Sequence, residues 1–482
     1  MKVTAVISVV SVLIMVMGAA VSLAGGASWI MQDSLADTRG IFQCSAFSIL
    51  GGLILHLKTR NRNHEVNPRE VYAIVTVGWL SVCLIAAIPF VALTDLTFTD
   101  SYFEVMSGLT TTGATILTDI ESLPKGLLFW RCFCNWLGGL GIVILSMAIL
   151  PFLGSGAYQL FKAEATGPQS EQVTSRAIDT AKILWAIYVG LTILCIMIYR
   201  YLEMPMFEAV CHGLSTLSTG GYSPLSSSFV GMSYPILYVS TFFMMMAATN
   251  FTLHIKALKG DIFCYFRDEE FRWYLATFIF ALTIIAFFLN TKSGYDWAQS
   301  FAHSTFQVAS LETSCGFASD NFDLWSTPSK IILFLIMFMG GCGGSTTGGL
   351  KVARIVLLVK YTFIKIKQMI LPHSLINLHF NGKRVNDDMI QKSLAFFFAF
   401  IFLYALTAFS LSFAPGIDIT TALSGAIACL GNMGPGFAML GPAETFAWLP
   451  DWNKWILCMA MFLGRLEIFT VIIVFVPNFW RR

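Results

Sequence analysis

Four short stretches hold the residues whose chemistry matters first: Thr111-Thr112-Gly113, Ser218-Thr219-Gly220, Ser314-Cys315-Gly316 and Asn432-Met433-Gly434. Each ends on a glycine and lies between two apolar segments. They recur at similar spacing, the mark of a repeated unit. None is a nucleophile–base pair or a metal-ligand pattern. What such a stretch can do is turn backbone carbonyls inward. Glycine permits the unusual dihedrals, and carbonyl oxygens replace the water of a dehydrated cation. Irregular backbone at membrane depth is tolerated only where protein buries it or where it lines a wet cavity. Four related loops meeting on one axis satisfy that condition. A single glycine of this kind reads equally well as a helix break; four in register point to a shared site. The candidate cation ligands are therefore the backbone carbonyls of Thr111, Thr112, Gly113, Ser218, Thr219, Gly220, Ser314, Cys315, Gly316, Asn432, Met433 and Gly434. With the backbone doing the coordination, Met433 and Cys315 can stand beside threonines.

The elements that must position these loops are membrane helices. Of 482 residues, 56% are hydrophobic and 12% charged, against about 25% charged in soluble domains, and mean hydropathy is +0.71. Many apolar runs reach the roughly 20 residues that cross a bilayer as helix. An all-α polytopic membrane protein follows. A net charge of +2 and the lack of a basic-aromatic surface segment give no reason to expect nucleic acid. The 11 cysteines are scattered in apolar runs without Cys-x-x-Cys spacing, which suits small core residues.

In chain order the expectation is ten spans. An apolar run after Lys2 to about Ala24 resembles a secretory signal but is expected to be retained as a helix. With Phe42–Leu57 it forms an N-terminal pair, residues 1–69. Four tandem helix–pore loop–helix repeats follow at 70–154, 155–260, 261–385 and 386–482, in pseudo-fourfold arrangement around one pore. Their expected flanking spans are Val71–Leu93 and Leu127–Leu153, Ala181–Tyr201 and Tyr234–Leu258, Trp273–Leu289 and a long one from Ile331, and Ser393–Phe413 and Trp455–Val476. The pore segments are Ser101–Thr115, Phe207–Tyr222, Trp297–Phe317 and Thr420–Gly436. Each opens with a short apolar stretch, such as Phe103–Leu109 or Phe301–Leu311, whose C-terminal dipole end favours a cation. Basic loops (Lys58, Arg60, Arg62 and Arg69; Lys162 and Arg176; Lys256, Lys259, Arg267 and Arg272; Lys351 to Arg384; Arg481 and Arg482) alternate with the spans. By the positive-inside rule both termini are cytoplasmic, and the pore loops enter from the outer face. Acids on the outer connectors, among them Asp95, Asp119, Glu121, Asp323 and Glu444, read first as solvated loop residues, second as a cation-concentrating mouth.

Two further places stand out. Gly340, Gly341, Gly343, Gly344, Gly348 and Gly349 interrupt an apolar run of about forty residues, far longer than one crossing needs. A helix does not run easily through that composition. The break should lie inside the membrane beneath the pore loops, with Ser345, Thr346 and Thr347 satisfying its backbone. The alternative is a passive kink. It is no phosphate loop, because Gly349 follows Gly348 where Lys-Ser/Thr is required. The second place is Arg465 with Glu467, inside the last span where charge is costly. By itself, Arg465 reads as one half of a pair with a glutamate that holds helices together. Arg131, Asn250, His254 and Glu312 are lesser candidates, with Glu312 read as a brace of its pore helix.

With Trp136-Leu-Gly-Gly-Leu-Gly, Gly340-Gly-Cys-Gly-Gly-Ser-Thr-Thr-Gly-Gly-Leu-Lys and Phe462-Leu-Gly-Arg-Leu-Glu-Ile-Phe-Thr, the four loops resemble the Trk/Ktr/HKT cation-transporter superfamily. The match is to TrkH-type membrane subunits of bacterial Trk potassium uptake systems, over essentially the whole chain. The resemblance implies K⁺ as the transported ion, since glycine stands at all four loop centres. It also implies a gating loop at 340–349 with Arg465 near the pore, an inner-membrane location and a homodimer. A separate cytosolic NAD(H)- or ATP-binding TrkA-type regulatory subunit is implied too, and no cofactor is expected on this chain. The competing class is a secondary transporter with broken helices, coupling K⁺ to H⁺ or Na⁺. An enzyme is not expected. No Gly-x-Ser-x-Gly or His-Glu-x-x-His occurs, and His212 near Ser215 on a pore segment reads as structural.

Overall fold

The computed structural model describes residues 3–59, 68–141, 177–372 and 377–480. Lys2, Arg60, Arg62, Lys162, Arg176, Arg481, Arg482, the later part of Leu127–Leu153 and the boundary at 154 lie outside the described residues.

Two long apolar helices, α1 (Val3–Ile30) and α2 (Leu35–Thr59), form the N-terminal pair. Small residues let them approach. A Cβ at Gly18 would lie 2.9 Å from the Ser48 Cβ, and one at Gly52 would lie 3.0 Å from the Ser11 carbonyl. Four units then follow, each a long helix, a short buried helix, an extended loop and a further helix. The long helices are α3 (Pro68–Leu93), α6 (Ala177–Tyr201), α10 (Glu269–Lys292) and α14 (Asp387–Leu411). The short ones are α4 (Phe98–Leu109), α7 (Met206–Ser218), α11 (Trp297–Glu312) and α15 (Ile419–Leu430). Three of these short helices begin at residues suited to the job. Thr97, Asp296 and Asp418 each accept a backbone N–H of the first turn, satisfying amides that a helix start leaves unpaired.

The helices after the loops are broken, which the sequence reading expected only at the glycine-rich run. There, α12 (Thr327–Ile336) and α13 (Val352–Ile370) flank a non-helical segment. In the second unit, α8 (Tyr234–Ala247) and α9 (Phe251–Leu258) meet at 99° instead of forming one span over Tyr234–Leu258. In the fourth, α16 (Asp451–Arg465) and α17 (Ile468–Phe475) meet at 118° instead of continuing through Trp455–Val476. In the first, α5 (Lys125–Trp136) passes into a π-turn, Leu137–Gly141, with Gly139 outside helical dihedrals. Tertiary bonds explain the second break. The freed carbonyls of Ala247 and Ala248 accept from Thr346 and Cys342, and Phe251 N–H donates to the Gly344 carbonyl. The glycine-rich segment thus satisfies the open helix ends beside it.

By length and composition, six helices among the described residues can cross a membrane, eight if each bent pair is one span. The two further expected spans are the first unit's, which runs beyond residue 141, and the third unit's, interrupted between α12 and α13. The short helices form the interior: every residue from Ser101 to Leu109 is buried. The outer helices turn aromatics outward, with Phe398 and Phe402 on α14 each 68% exposed, as a lipid-facing surface requires. All 11 cysteines are buried and unbridged.

The N-terminal pair is locked to the first unit by close packing and capping. A Cβ at Gly126 would lie 2.6 Å from the Ser28 Cβ and 2.8 Å from Ile41, and the Asp33 carboxylate accepts the Gly126 N–H at 2.8 Å. Overpacking here should cost about 1–3 kcal/mol. Gly126→Leu is expected to lower the thermal midpoint of the purified protein. Gly51→Leu, where nothing lies within 4 Å, should leave it unchanged; equal shifts would show that the contact does not hold the pair.

Candidate ion-coordinating site

Each loop leaves its short helix in the same way. The residues after the helices enter left-handed backbone at Thr111 (φ 52°), Thr219 (φ 51°), Ser314 (φ 53°) and Asn432 (φ 55°). The next amides reach back to carbonyls in the last helical turn: Thr112 to Ser107, Gly220 to Ser215, Cys315 to Ser310 and Met433 to Ala428, at 2.8–3.0 Å. Two residues beyond each left-handed position stands a glycine with positive φ: Gly113 (84°), Gly221 (74°), Gly316 (87°) and Gly434 (86°).

This corrects the second loop by one residue. Gly221, not Gly220, is the counterpart of Gly113. A Cβ at Gly220 would instead press on the Asn135 side chain at 2.4 Å. Two adjacent glycines leave the choice open in sequence; the neighbours decide it.

The four glycines are also neighbours in a closed order. A Cβ on Gly113 would lie 2.6 Å from the carbonyl oxygen of Gly220. One on Gly221 would lie 2.1 Å from that of Cys315, one on Gly316 2.2 Å from that of Met433, and one on Gly434 2.7 Å from that of Thr112. Each loop therefore abuts the next, and the fourth returns to the first. Gly113, Gly221, Gly316 and Gly434 line one pocket of about 80 Å³, with Arg131 and Glu444 at its sides. On the connectors beside it, Glu121 accepts the Ser226 N–H at 2.7 Å and also its hydroxyl. Burial pushes the Glu121 carboxyl up, but these bonds from Ser226 outweigh it and hold the group below its usual range.

The glycine-rich segment meets the other end of the same loops. Thr346 Oγ1 accepts from Thr219 Oγ1 at 3.2 Å, and Gly348 N–H donates to Ser314 Oγ at 2.9 Å. A Cβ at Gly348 would lie 3.0 Å from that of Asn432. Gly340, Gly344 and Gly349 have positive φ. Gly341 N–H donates to Thr347 Oγ1 at 3.2 Å, and Ser345 Oγ donates to the Cys342 carbonyl at 2.6 Å. Gly343 N–H within the segment and Ala353 N–H in the first turn of α13 both donate to Glu270 Oε1, at 2.6 and 3.2 Å. Lys351 Nζ donates to the Thr347 carbonyl at 2.5 Å. Arg465 donates to the carbonyls of Thr346 (2.6 Å), Gly138 and Gly139 (3.0 Å). It thus joins the break of the first unit to the glycine-rich segment. Glu467 pairs with Arg354 at 2.5 Å.

The lesser candidates are mostly structural. Asn250 caps α9 through Thr252 N–H at 2.9 Å. His254 bonds Tyr265 and the Met246 carbonyl, and His212 bonds the Glu208 carbonyl and Ser223. Glu312 is fully buried and accepts from Thr277 Oγ1 at 2.6 Å, which ties α11 to α10. Sequence reasoning passed over Gly221, Glu270 and Glu104 and treated Lys351 only as one of a basic run. The signals available were the doubled glycine, and acids within apolar segments.

The family described as "TrkH: Cation transport protein" matches residues 38–482. The chain belongs to that family. Its members are transporters, not enzymes. The chain is 34% identical over 487 residues to the Trk system potassium uptake protein TrkH of Salmonella typhimurium, covering 99% of each. It is 38% identical over 439 residues to the protein of the same name in Halomonas elongata, covering 89% of this chain and 90% of the relative. The crystal structure of the potassium transporter TrkH from Vibrio parahaemolyticus superposes with a TM-score of 0.88 at 31% identity, each chain fully covered.

The loop register is testable by cation uptake into liposomes. Gly221→Ala places a side chain in left-handed backbone, at a cost of ~1–2 kcal/mol, and against a carbonyl. Uptake is expected to fall at least about tenfold. Gly220→Ala combined with Asn135→Ala should retain most of it; equal losses would contradict the register.

Proposed function

We propose that this chain is the pore subunit of a potassium uptake system, in which K⁺ passes through the ring formed by the four loops. The observation that carries this reading is the closed order of glycines and carbonyls. On this reading the backbone oxygens of the four left-handed turns surround one axis, the arrangement a dehydrated monovalent cation requires. The short helices direct their C-terminal ends at the same place, adding negative partial charge. The names of the relatives support K⁺ as the ion. On this reading the chain is built of ten spans: the N-terminal pair and four helix–pore loop–helix repeats in pseudo-fourfold arrangement. The carbonyls of Thr111–Gly113, Thr219–Gly221, Ser314–Gly316 and Met433–Gly434 with Asn432 form the filter.

The segment Gly340–Gly349 is the gate. It is bonded to loop residues Thr219 and Ser314 and pinned by Arg465, so conduction requires that it move. Arg465 and Lys351 add fixed positive charge on that side, which opposes cation flow while the segment is in place. The protein works in the bacterial inner membrane with both termini cytoplasmic, as a homodimer, with a cytosolic nucleotide-binding regulatory subunit of the TrkA type acting on the gate.

Flux into liposomes holding the purified chain, with K⁺, Rb⁺ or Na⁺ and an independently set pH gradient, tests the reading. Flux that follows each ion's own gradient is expected; uphill K⁺ movement driven by protons would make the protein a symporter. Gly113→Ser should weaken the preference for K⁺ over Na⁺, and unchanged selectivity would refute the filter. Removing three residues from within Gly343–Thr347, or Arg465→Ala, should raise basal flux severalfold; loss of flux in folded protein would count against a gate.

A further inference from the structure

We propose that the buried cluster of Glu104, Arg131 and Tyr222 is a specificity-determining strut. It holds the limbs by which the first two loops leave the ring, and so sets how sharply the ring distinguishes K⁺ from Na⁺. The inference rests on the reading of the four loops as the filter.

Arg131 Nε donates to Glu104 Oε1 at 2.5 Å, with both side chains almost wholly buried (2% and 0% exposed). The guanidinium also donates from Nη1 to the Ser223 carbonyl at 2.7 Å, just past the second loop. The Glu104 carboxylate accepts from Thr115 Oγ1 and Ile116 N–H, each at 3.0 Å, just past the first. Tyr222 lies between them. Its hydroxyl donates to the Glu104 carbonyl at 2.6 Å, with the Ala114 carbonyl at 3.1 Å, and its ring lies 3.7 Å from the Arg131 guanidinium. One ion pair therefore fixes Ala114–Ile116 against Tyr222–Ser223.

Two arguments separate this from ordinary packing. A buried ion pair is a poor source of net stability, because desolvation offsets most of the attraction. Its worth must lie in position. Arg131 also lines the pocket shared by the four glycines. Unpaired, its charge would repel an arriving cation; Glu104 neutralises it at the cost of locking both groups in place.

The other loops are braced from the same helical position by different means. Glu104, His212, Gln307 and Gly425 stand equally far before Gly113, Gly221, Gly316 and Gly434. His212 Nε2 bonds Ser223 Oγ at 3.0 Å, and Gln307 Nε2 donates to the Phe317 carbonyl at 3.3 Å. In the fourth unit the adjacent Ser424 Oγ accepts the Phe437 N–H at 2.8 Å. Only the first of these braces is ionic, so the four loops are supported by unlike groups.

The test is the ratio of K⁺ to Na⁺ flux through purified protein in liposomes, read beside the thermal midpoint. A merely structural role lowers the active fraction and leaves the ratio alone. Arg131→Met is expected to cut the ratio about tenfold. Tyr222→Phe, which removes one hydroxyl and no charge, should cut it about threefold. Arg131→Lys keeps the charge without the fork and should fall between wild type and Arg131→Met. If Arg131→Met does not fold, Tyr222→Phe carries the test. Unchanged ratios in folded Tyr222→Phe and Arg131→Lys would overturn the strut. A wild-type chain without cation preference, or a Gly113→Ser variant that keeps it, would instead overturn the filter reading.

Discussion

Everything in this fold is arranged around backbone that cannot pair with itself. A loop inside a membrane protein must find a partner for each amide and carbonyl that a helix would have satisfied internally, because lipid offers none. The four loops meet this demand in a common way. A left-handed residue ends the short helix, the next amide returns to the last turn, and the glycine beyond brings its backbone against the carbonyl of the adjoining loop. Each of the four glycines lies against a carbonyl of the adjoining loop, those of Gly220, Cys315, Met433 and Thr112. The chemistry proposed for the site is thus the residue of a satisfaction problem solved four times.

The broken helices follow from the same constraint. A straight α8–α9 would leave no carbonyl for Cys342 and Thr346, and without them the glycine-rich segment would lack partners of its own. Glu270 bonds an amide within that segment and one at the start of α13, and Arg465 gathers three carbonyls from two breaks. These charged groups lie within apolar surroundings, where their burial is costly. Each bonds backbone at a helix break, which accounts for a chain so poor in charge holding several in its interior.

The buried cluster behind the first two loops extends the argument from backbone to selectivity. Carbonyl ligands discriminate between ions only as well as their positions are held, and on the proposed reading Glu104, His212, Gln307 and Ser424, all on the short helices, do the holding through the bonds they make to or beside the loops. The four solutions differ in chemistry. The four loops are thus alike in backbone and individual in their supports.

Much of this was legible in the amino-acid sequence. Apolar runs of bilayer length fixed the membrane class. Glycines recurring at similar spacing between apolar segments located the four loops, and six glycines in one apolar run located the break between α12 and α13, because local composition forbids a regular helix there. Other features were decided only by the tertiary structure. Gly220 and Gly221 are chemically identical, and which of them takes the positive φ depends on Asn135 and Cys315, residues far away along the chain. The bends at Asn250 and Leu466 lie in segments apolar enough to read as continuous spans; the first opens where the glycine-rich segment supplies partners for its freed backbone, and beside the second Glu467 pairs with Arg354. Arg131 and Arg465 announced themselves as charges in apolar surroundings, but their partners, Glu104 in one case and backbone carbonyls in the other, are set by packing. Sequence marks the departures from helix where glycine is concentrated, as in the four loops and the run from Gly340 to Gly349. Only the assembled fold determines which group, often hundreds of residues distant, satisfies the backbone there.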